Sequence, residues 1–174
     1  MRKNLLILLL ISMAVFTACA QSRKTTTTKK TEKPAAAGTA ALKGLTSVAM
    51  RRGACFGRCP EYVLTISSNG IADYTGTRNA DPMGVYQKAV GTTAAQELLK
   101  EFMEYRADTC KDLYTANIAD LPGLHFTLMI NGKKKIINNA NFGPEFLITL
   151  SDRMDAVGKV DGSWKKIADK AEGD

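Results

Sequence analysis

The sequence has one histidine, His125, and one tryptophan, Trp164. A lone imidazole leaves little material for nucleophilic or acid–base catalysis, and no Ser/His/Asp constellation can be read from the order of residues. No two carboxylates recur at a spacing that would pair them for general acid–base work. Asp108, Asp112 and Asp120 are close in sequence but match no calcium-loop spacing. The glycines of "GTRNADPMG" lack the spacing of a phosphate cradle. There is no apolar stretch long enough to cross a bilayer as a helix, since the longest, Leu5 to Phe16, falls well short of about 20 residues. The folded part also lacks a surplus of positive charge. Formal net charge is +7, but before Ala35 seven Lys and Arg stand against Glu32 alone. The remainder is nearly neutral, which argues against a nucleic-acid surface.

The start of the chain reads as an export signal. Met1-Arg-Lys-Asn4 is short and basic, the apolar run Leu5–Phe16 follows, and small residues lead to Cys19. A cysteine at that place resembles the lipobox of bacterial lipoproteins, in which the thiol takes a diacylglyceryl group and becomes the new N-terminus. Residues 1–18 are therefore expected to be a lipoprotein signal peptide, and Cys19 the lipidated residue that anchors the chain in a bilayer. Two or three acyl chains hold permanently where one holds only marginally. Ala20, where Asp would resemble an inner-membrane retention signal, favours the outer membrane, facing periplasm or cell surface.

Residues 19–41 have no large apolar side chain to bury and read as a disordered tether. As a flexible coil it would span about 25 Å on average. Its lysines are placed to lie against anionic headgroups.

From Leu42 the pattern changes. "LTSVAM" alternates loosely, and "YVLTIS" alternates well, with Tyr62, Leu64 and Ile66 on one side. Asn69-Gly70 predicts a two-residue type I′ turn into "IADYTG", and "GVYQKAV" predicts a fourth strand. "TTAAQELLKEFMEYRAD" predicts a helix, with a capping box at Thr93 and Gln96 and an apolar stripe of Ala95, Leu98, Leu99, Phe102 and Tyr105. "LHFTLMI", Asn131-Gly132 and "KKKIIN" predict a second hairpin. A last helix is expected to start at Pro144, turn Leu147, Leu150, Met154 and Val157 inward, and stop near Gly158. Residues 42–158 thus predict one α+β domain, an antiparallel sheet of five or six strands with two helices on one face. Residues 159–174 predict a polar tail from which Trp164 folds back onto the domain.

The chemistry that is present centres on "RRGACFGRCPEYVLTI". Cys55 and Cys59 admit three readings. They can form a disulfide, for which the chain must turn sharply, with Gly57 supplying the freedom. They can be a dithiol or copper site, since Cys-x-x-x-Cys-Pro resembles the motif of Sco-type copper-delivery proteins and His125 would be the third ligand. They can also stay reduced and merely pack. A strand immediately after the motif argues against the second reading, because the Sco motif opens into a helix. Cysteine-nucleophile catalysis would need His125 beside a thiol, which the spacing does not provide. Arg51, Arg52 and Arg58 read as a solvated rim, and Lys133, Lys134 and Lys135 as the guard of an edge strand.

Taken together, "CFGRCPEYVLTISSNGIADYTG", "LYTANIADLPG" and "NGKKKIINN" resemble a family of small secreted or lipid-anchored bacterial proteins. That family carries a Cys-Phe-Gly-x-Cys-Pro-x-Tyr motif, here Cys55 to Tyr62, and is catalogued as a domain of unknown function. The resemblance runs from about Leu45 to Val157 and implies no reaction. Cys110 occupies a position that is usually aromatic in the family, so it is expected to be a buried small hydrophobe. The expectation overall is a non-catalytic binding or envelope-interaction module. It needs no cofactor or nucleic acid, and its partners are the bilayer and an envelope protein or ligand. The alternative is a periplasmic thiol-redox or copper protein using Cys55, Cys59 and His125.

Overall fold

Alternating apolar residues, each buried on one side only, account for most of the sheet. The structure is a computed structural model that describes residues 44–116 and 121–169. Seven strands occur among these residues: β1 (Leu45–Arg52), β2 (Glu61–Ser67), β3 (Ile71–Arg78), β4 (Gly84–Ala89), β5 (Leu124–Ile130), β6 (Lys133–Ile137) and β7 (Lys165–Ala168). They form one antiparallel sheet in the order β6-β5-β1-β2-β3-β4-β7. Two helices complete it, α1 (Thr92–Glu104) and α2 (Phe146–Val157). The class is α+β as expected, with more strands than the five or six predicted. The additional one, β7, comes from the segment expected to be a polar tail.

Register places the inward side chains in rows across the strands: Met50 opposite Leu64 and Phe126, and Val48 opposite Ile66 and Leu128. These join Leu98, Leu99 and Phe102 of α1 and Leu147, Leu150 and Met154 of α2 in one buried cluster. Phe102 meets Phe126 edge-on at 5.4 Å, and Tyr105 stacks on Phe146 at 5.3 Å. The intervening residues Ser47, Ala49, Thr65, Thr75 and Thr127 face the other way and are partly exposed.

Local chemistry departs from expectation at three points. Asn131 and Gly132 both have positive φ, as a two-residue hairpin turn requires, but at Asn69-Gly70 only the glycine does. Ser68, Asn69 and Gly70 instead make a three-residue loop, with Ile71 taking Asn69 Oδ1 as acceptor at 3.1 Å. The capping box at Thr93 does not form. Gly91 is the N-cap of α1, and Gln96 donates to Ser68 O at 3.5 Å. The Gly70 carbonyl accepts from both Val90 and Gly91, and the N-cap lies two residues before Thr93.

The sheet has two distinct ends. At one lie Gly44, the Asn131-Gly132 turn and the 68–70 loop. At the other lie the β1–β2 loop (53–60), the β3–β4 loop (79–83) and the residues leading into β5. The eight residues of β1 separate them by about 25 Å.

Candidate binding site at the disulfide end of the sheet

The β1–β2 loop is closed by a Cys55–Cys59 disulfide with α-carbons 5.6 Å apart, so the first of the three readings of the pair is the one found. Pro60 follows immediately, ahead of the first ladder residue, where no amide donor is needed. Gly57 does not play the part expected of it. It is not among the glycines of positive φ, and a Cβ there would meet Cys55 Sγ at an ordinary 3.8 Å. Phe56, between the cysteines, is 94% exposed, and Arg58 is also exposed. The loop therefore holds an aromatic ring in solvent on a constrained support. Exposed Met83 and Leu121 sit on the neighbouring loops at the same end.

Beneath the loop the sheet ends in a partly buried polar knot. Period-two alternation puts Arg52 on the same side as Val48 and Met50, facing α2 and not solvent. Its Nε donates to Tyr62 Oη at 2.8 Å and its Nη2 to Asp155 Oδ2 at 2.6 Å. The Tyr62 hydroxyl donates to Asp155 Oδ1 at 2.7 Å. Ser151, fully buried, accepts from Arg52 at 3.3 Å and donates to the Ile148 carbonyl. Arg52 is thus not part of a solvated rim, whereas Arg51 and Arg58 are exposed as expected. Burial, then Asp155, pushes the Tyr62 phenol well above its ordinary range.

Next to the knot is a slot of about 280 Å³ lined by Pro60, Tyr62, Leu64, Tyr74, Asp81, Asp155, Gly158, Lys159 and Val160. Two close approaches shape it. A Cβ on Gly76 would lie 2.2 Å from the Pro82 carbonyl, so only glycine lets the β3–β4 loop lie down and carry Asp81 to the slot. A Cβ on Gly158 would lie 2.6 Å from Leu64 Cδ2, so glycine also lets the end of α2 close on the sheet. Tyr74 forms the floor, its ring 5.4 Å from Tyr62 and 5.8 Å from Trp164. Trp164 is buried, donates to the Lys159 carbonyl at 3.0 Å and folds back onto the domain as expected. A larger hollow of about 330 Å³, between Leu45, Leu99 and Met103, lies at the opposite end, with no carboxylate in its wall.

The remaining sequence candidates are dispersed. His125 lies on the outward face of β5, paired with Arg51 across the ladder, and its Nδ1 meets Asn138 Oδ1 at 3.1 Å. Burial, chiefly, lowers its pKa. It does not join Cys55 and Cys59: among the described residues no three His, Cys, Asp or Glu gather as metal ligands. Asp108 pairs with Arg106 and Asp112 with Lys135, while Asp120 and Cys19 lie outside the described residues. Cys110 is a free, buried thiol in the core cluster. Lys133, Lys134 and Lys135 lie on β6, an edge strand, and Lys165 and Lys166 lie on β7, the other edge.

The sequence argument missed Tyr74, Asp81 and Asp155. For Asp155 a signal exists: an acid in the last turn of α2 opposes the helix dipole, which marks it as held there by a cation. Asp81 carries no such signal, because its place depends on how one irregular loop lies.

The chain belongs to the family described as Domain of unknown function (DUF6438), whose family model matches residues 46–158. The match takes in the disulfide loop, Tyr62, Tyr74, Asp81 and Asp155, and it ends before Lys159, Trp164 and β7. No curated protein and no solved structure matches the chain.

Proposed function

We propose that this chain is a non-catalytic binding module of the cell envelope, anchored through a lipidated Cys19 and engaging a partner with the disulfide end of its domain. One observation carries the reading. A disulfide-closed loop presents Phe56 at 94% exposure at the same end of the sheet as a largely apolar slot edged by Asp81, Asp155 and Lys159, opposite the point where residue 44 leads into β1. An exposed aromatic side chain on a constrained support loses little conformational entropy on binding, the property expected of an interface anchor. Both sheet edges carry lysines, so strand addition is a poor route for a partner, and the loops are left as the contact surface. Residue 44 enters the domain at the far end, which leaves those loops free to meet other envelope proteins.

A benzoylphenylalanine substituted for Phe56 in the full chain, expressed in its native envelope, tests the reading. It is expected to cross-link one discrete partner, while the same probe at Asn131 on the opposite turn does not. Phe56→Ala should abolish co-purification of that partner. Cross-links of equal yield from both positions would overturn the assignment of the binding end. Cys19→Ser tests the anchor separately, and is expected to remove acyl label and release the chain from the membrane fraction.

A further inference from the structure

Tyr74 is 4% exposed, lines the slot, and makes no hydrogen bond through its hydroxyl to any described residue. The hydroxyl is not sealed from solvent, so it opens to the slot, where water or a ligand atom can meet it. Asp81 shares that wall and has neither an ion pair nor a hydrogen bond among the described residues. Asp155 is already engaged by Arg52 and Tyr62. The vacant acceptors are therefore the Asp81 carboxylate and the Tyr74 oxygen. Leu64, Pro60 and Val160 supply apolar wall beside them. At about 280 Å³ the slot is smaller than most small-molecule sites and suits one extended side chain.

Charge decides what kind. Burial first, then Asp81 and Asp155, push the Tyr74 phenol up to about 12. Asp81 is the one carboxylate of the slot without a partner among the described residues, and a group that donates hydrogen bonds and carries positive charge fits it. Lys159 at the slot wall is the one opposing charge, and it has no ion pair among the described residues.

We infer that the slot between Tyr62, Tyr74 and Asp81 binds an alkylammonium group, its stem along Leu64 and Val160 and its charge on Asp81 and the Tyr74 oxygen. This rests on the binding-module reading and adds the chemistry of what enters the site. The group can belong to a lysine of the partner protein or to a free amine.

The test is a titration of the full chain in detergent, read through the ring resonances of Tyr62 and Tyr74. The probes are Nα-acetyl-lysine methylamide, its neutral norleucine counterpart and cadaverine. The lysine probe is expected to shift both rings saturably, in the millimolar range (~1–10 mM) usual for so small a contact. Asp81→Asn should weaken binding about fivefold, and Lys159→Met should tighten it about two- to threefold, as removal of an attractive or a repulsive exposed charge does. Asp81 makes no ion pair or hydrogen bond among the described residues, so its variant is expected to fold, and Lys159→Met is an independent arm. Preference for the lysine probe over cadaverine assigns the group to a partner's side chain; the reverse preference assigns it to a free amine. Equal response to the norleucine probe, no response to any probe, or weaker binding in Lys159→Met would each overturn the inference. If the probe at position 56 still captures its partner while the lysine probe is ignored, the inference falls and the binding-module reading stands.

Discussion

Arg52 and Asp155 meet at 2.6 Å, and through that contact the last inward position of a central strand is fastened to the last turn of α2. The carboxylate also takes the Tyr62 hydroxyl at 2.7 Å, so one side chain ties β1, β2 and the helix together under the disulfide loop. An acid at a helix C-terminus works against the helix dipole, a cost of several tenths of a kcal/mol. The charged hydrogen bonds to Arg52 and Tyr62 more than offset it.

Asp155→Ala is expected to leave a partly buried guanidinium and phenol without their acceptor. The loss should be about 1–3 kcal/mol, with Asp155→Asn intermediate, measured by urea melts of the two variants and the parent chain. Tyr62 supplies a second readout. Its pKa is raised above the usual 10.0, so the stability it contributes is intact below that pH and declines as pH rises beyond it. Removing Asp155 should lower the phenol's ionisation pH and flatten that decline. Melts that superimpose on the parent's would show that the knot is not structural.

Reduction of the Cys55–Cys59 bridge, or the double serine variant, should cost about 2 kcal/mol, since so short a loop carries little closure entropy. The sheet should persist, because neither sulfur belongs to the core cluster. Partner capture through Phe56 should weaken more than stability does, as the ring loses its constrained support. A midpoint potential below about −300 mV fits a structural bridge; one between about −270 and −120 mV would favour the thiol-redox alternative.

Asp161 holds the turn before β7. It accepts from the Ser163 amide at 2.9 Å, from the Ser163 hydroxyl and from Lys88 at 3.1 Å, and these contacts lower its pKa from 3.8 to about 2. A depressed carboxyl stabilises the fold above its unfolded value and ceases to do so as pH falls through its folded one. Between pH 3.8 and about 2 the turn should therefore loosen and Trp164 leave Tyr74. Trp164 is the sole tryptophan, so its emission should shift to the red over that interval. Asp161→Ala should show the shifted emission already at neutral pH.

β2, β5 and both helices were legible through their own period, alternation in "YVLTIS" and "LHFTLMI" and the three-four stripe from Ala95 to Tyr105, while β3 and β6 were read from the Asn-Gly pairs before them. β7 was not, because Lys165, Lys166, Ile167 and Ala168 are all exposed and bear no pattern; Trp164, seated on Tyr74, brings them alongside β4. Arg52 could have been found, since counting alternate residues from Val48 and Met50 lands on it, but its chemical type suggested solvent. The slot needed Asp81, brought in by a loop with no period, and no sequence rule places it.

That loop is held down at Gly76. The residue lies within β3, opposite Tyr62 and Gly84, where an alanine would normally improve a strand. Here its Cβ would stand 2.2 Å from the Pro82 carbonyl and 3.0 Å from Ala80 Cβ, and backbone cannot step aside as a flexible side chain can. Gly76→Ala should therefore lift the 79–83 loop, costing about 1–3 kcal/mol as overpacking does. With the loop goes Asp81, so the response of Tyr74 to the lysine probe should fall at least as far as in Asp81→Asn. Gly57→Ala is the matched control: its Cβ makes only an ordinary contact at 3.8 Å, and stability and probe binding should both stay at the parent's values. If Gly76→Ala leaves the Tyr74 titration unchanged, Asp81 does not reach the slot by way of this loop, and the site would have to be rebuilt without it.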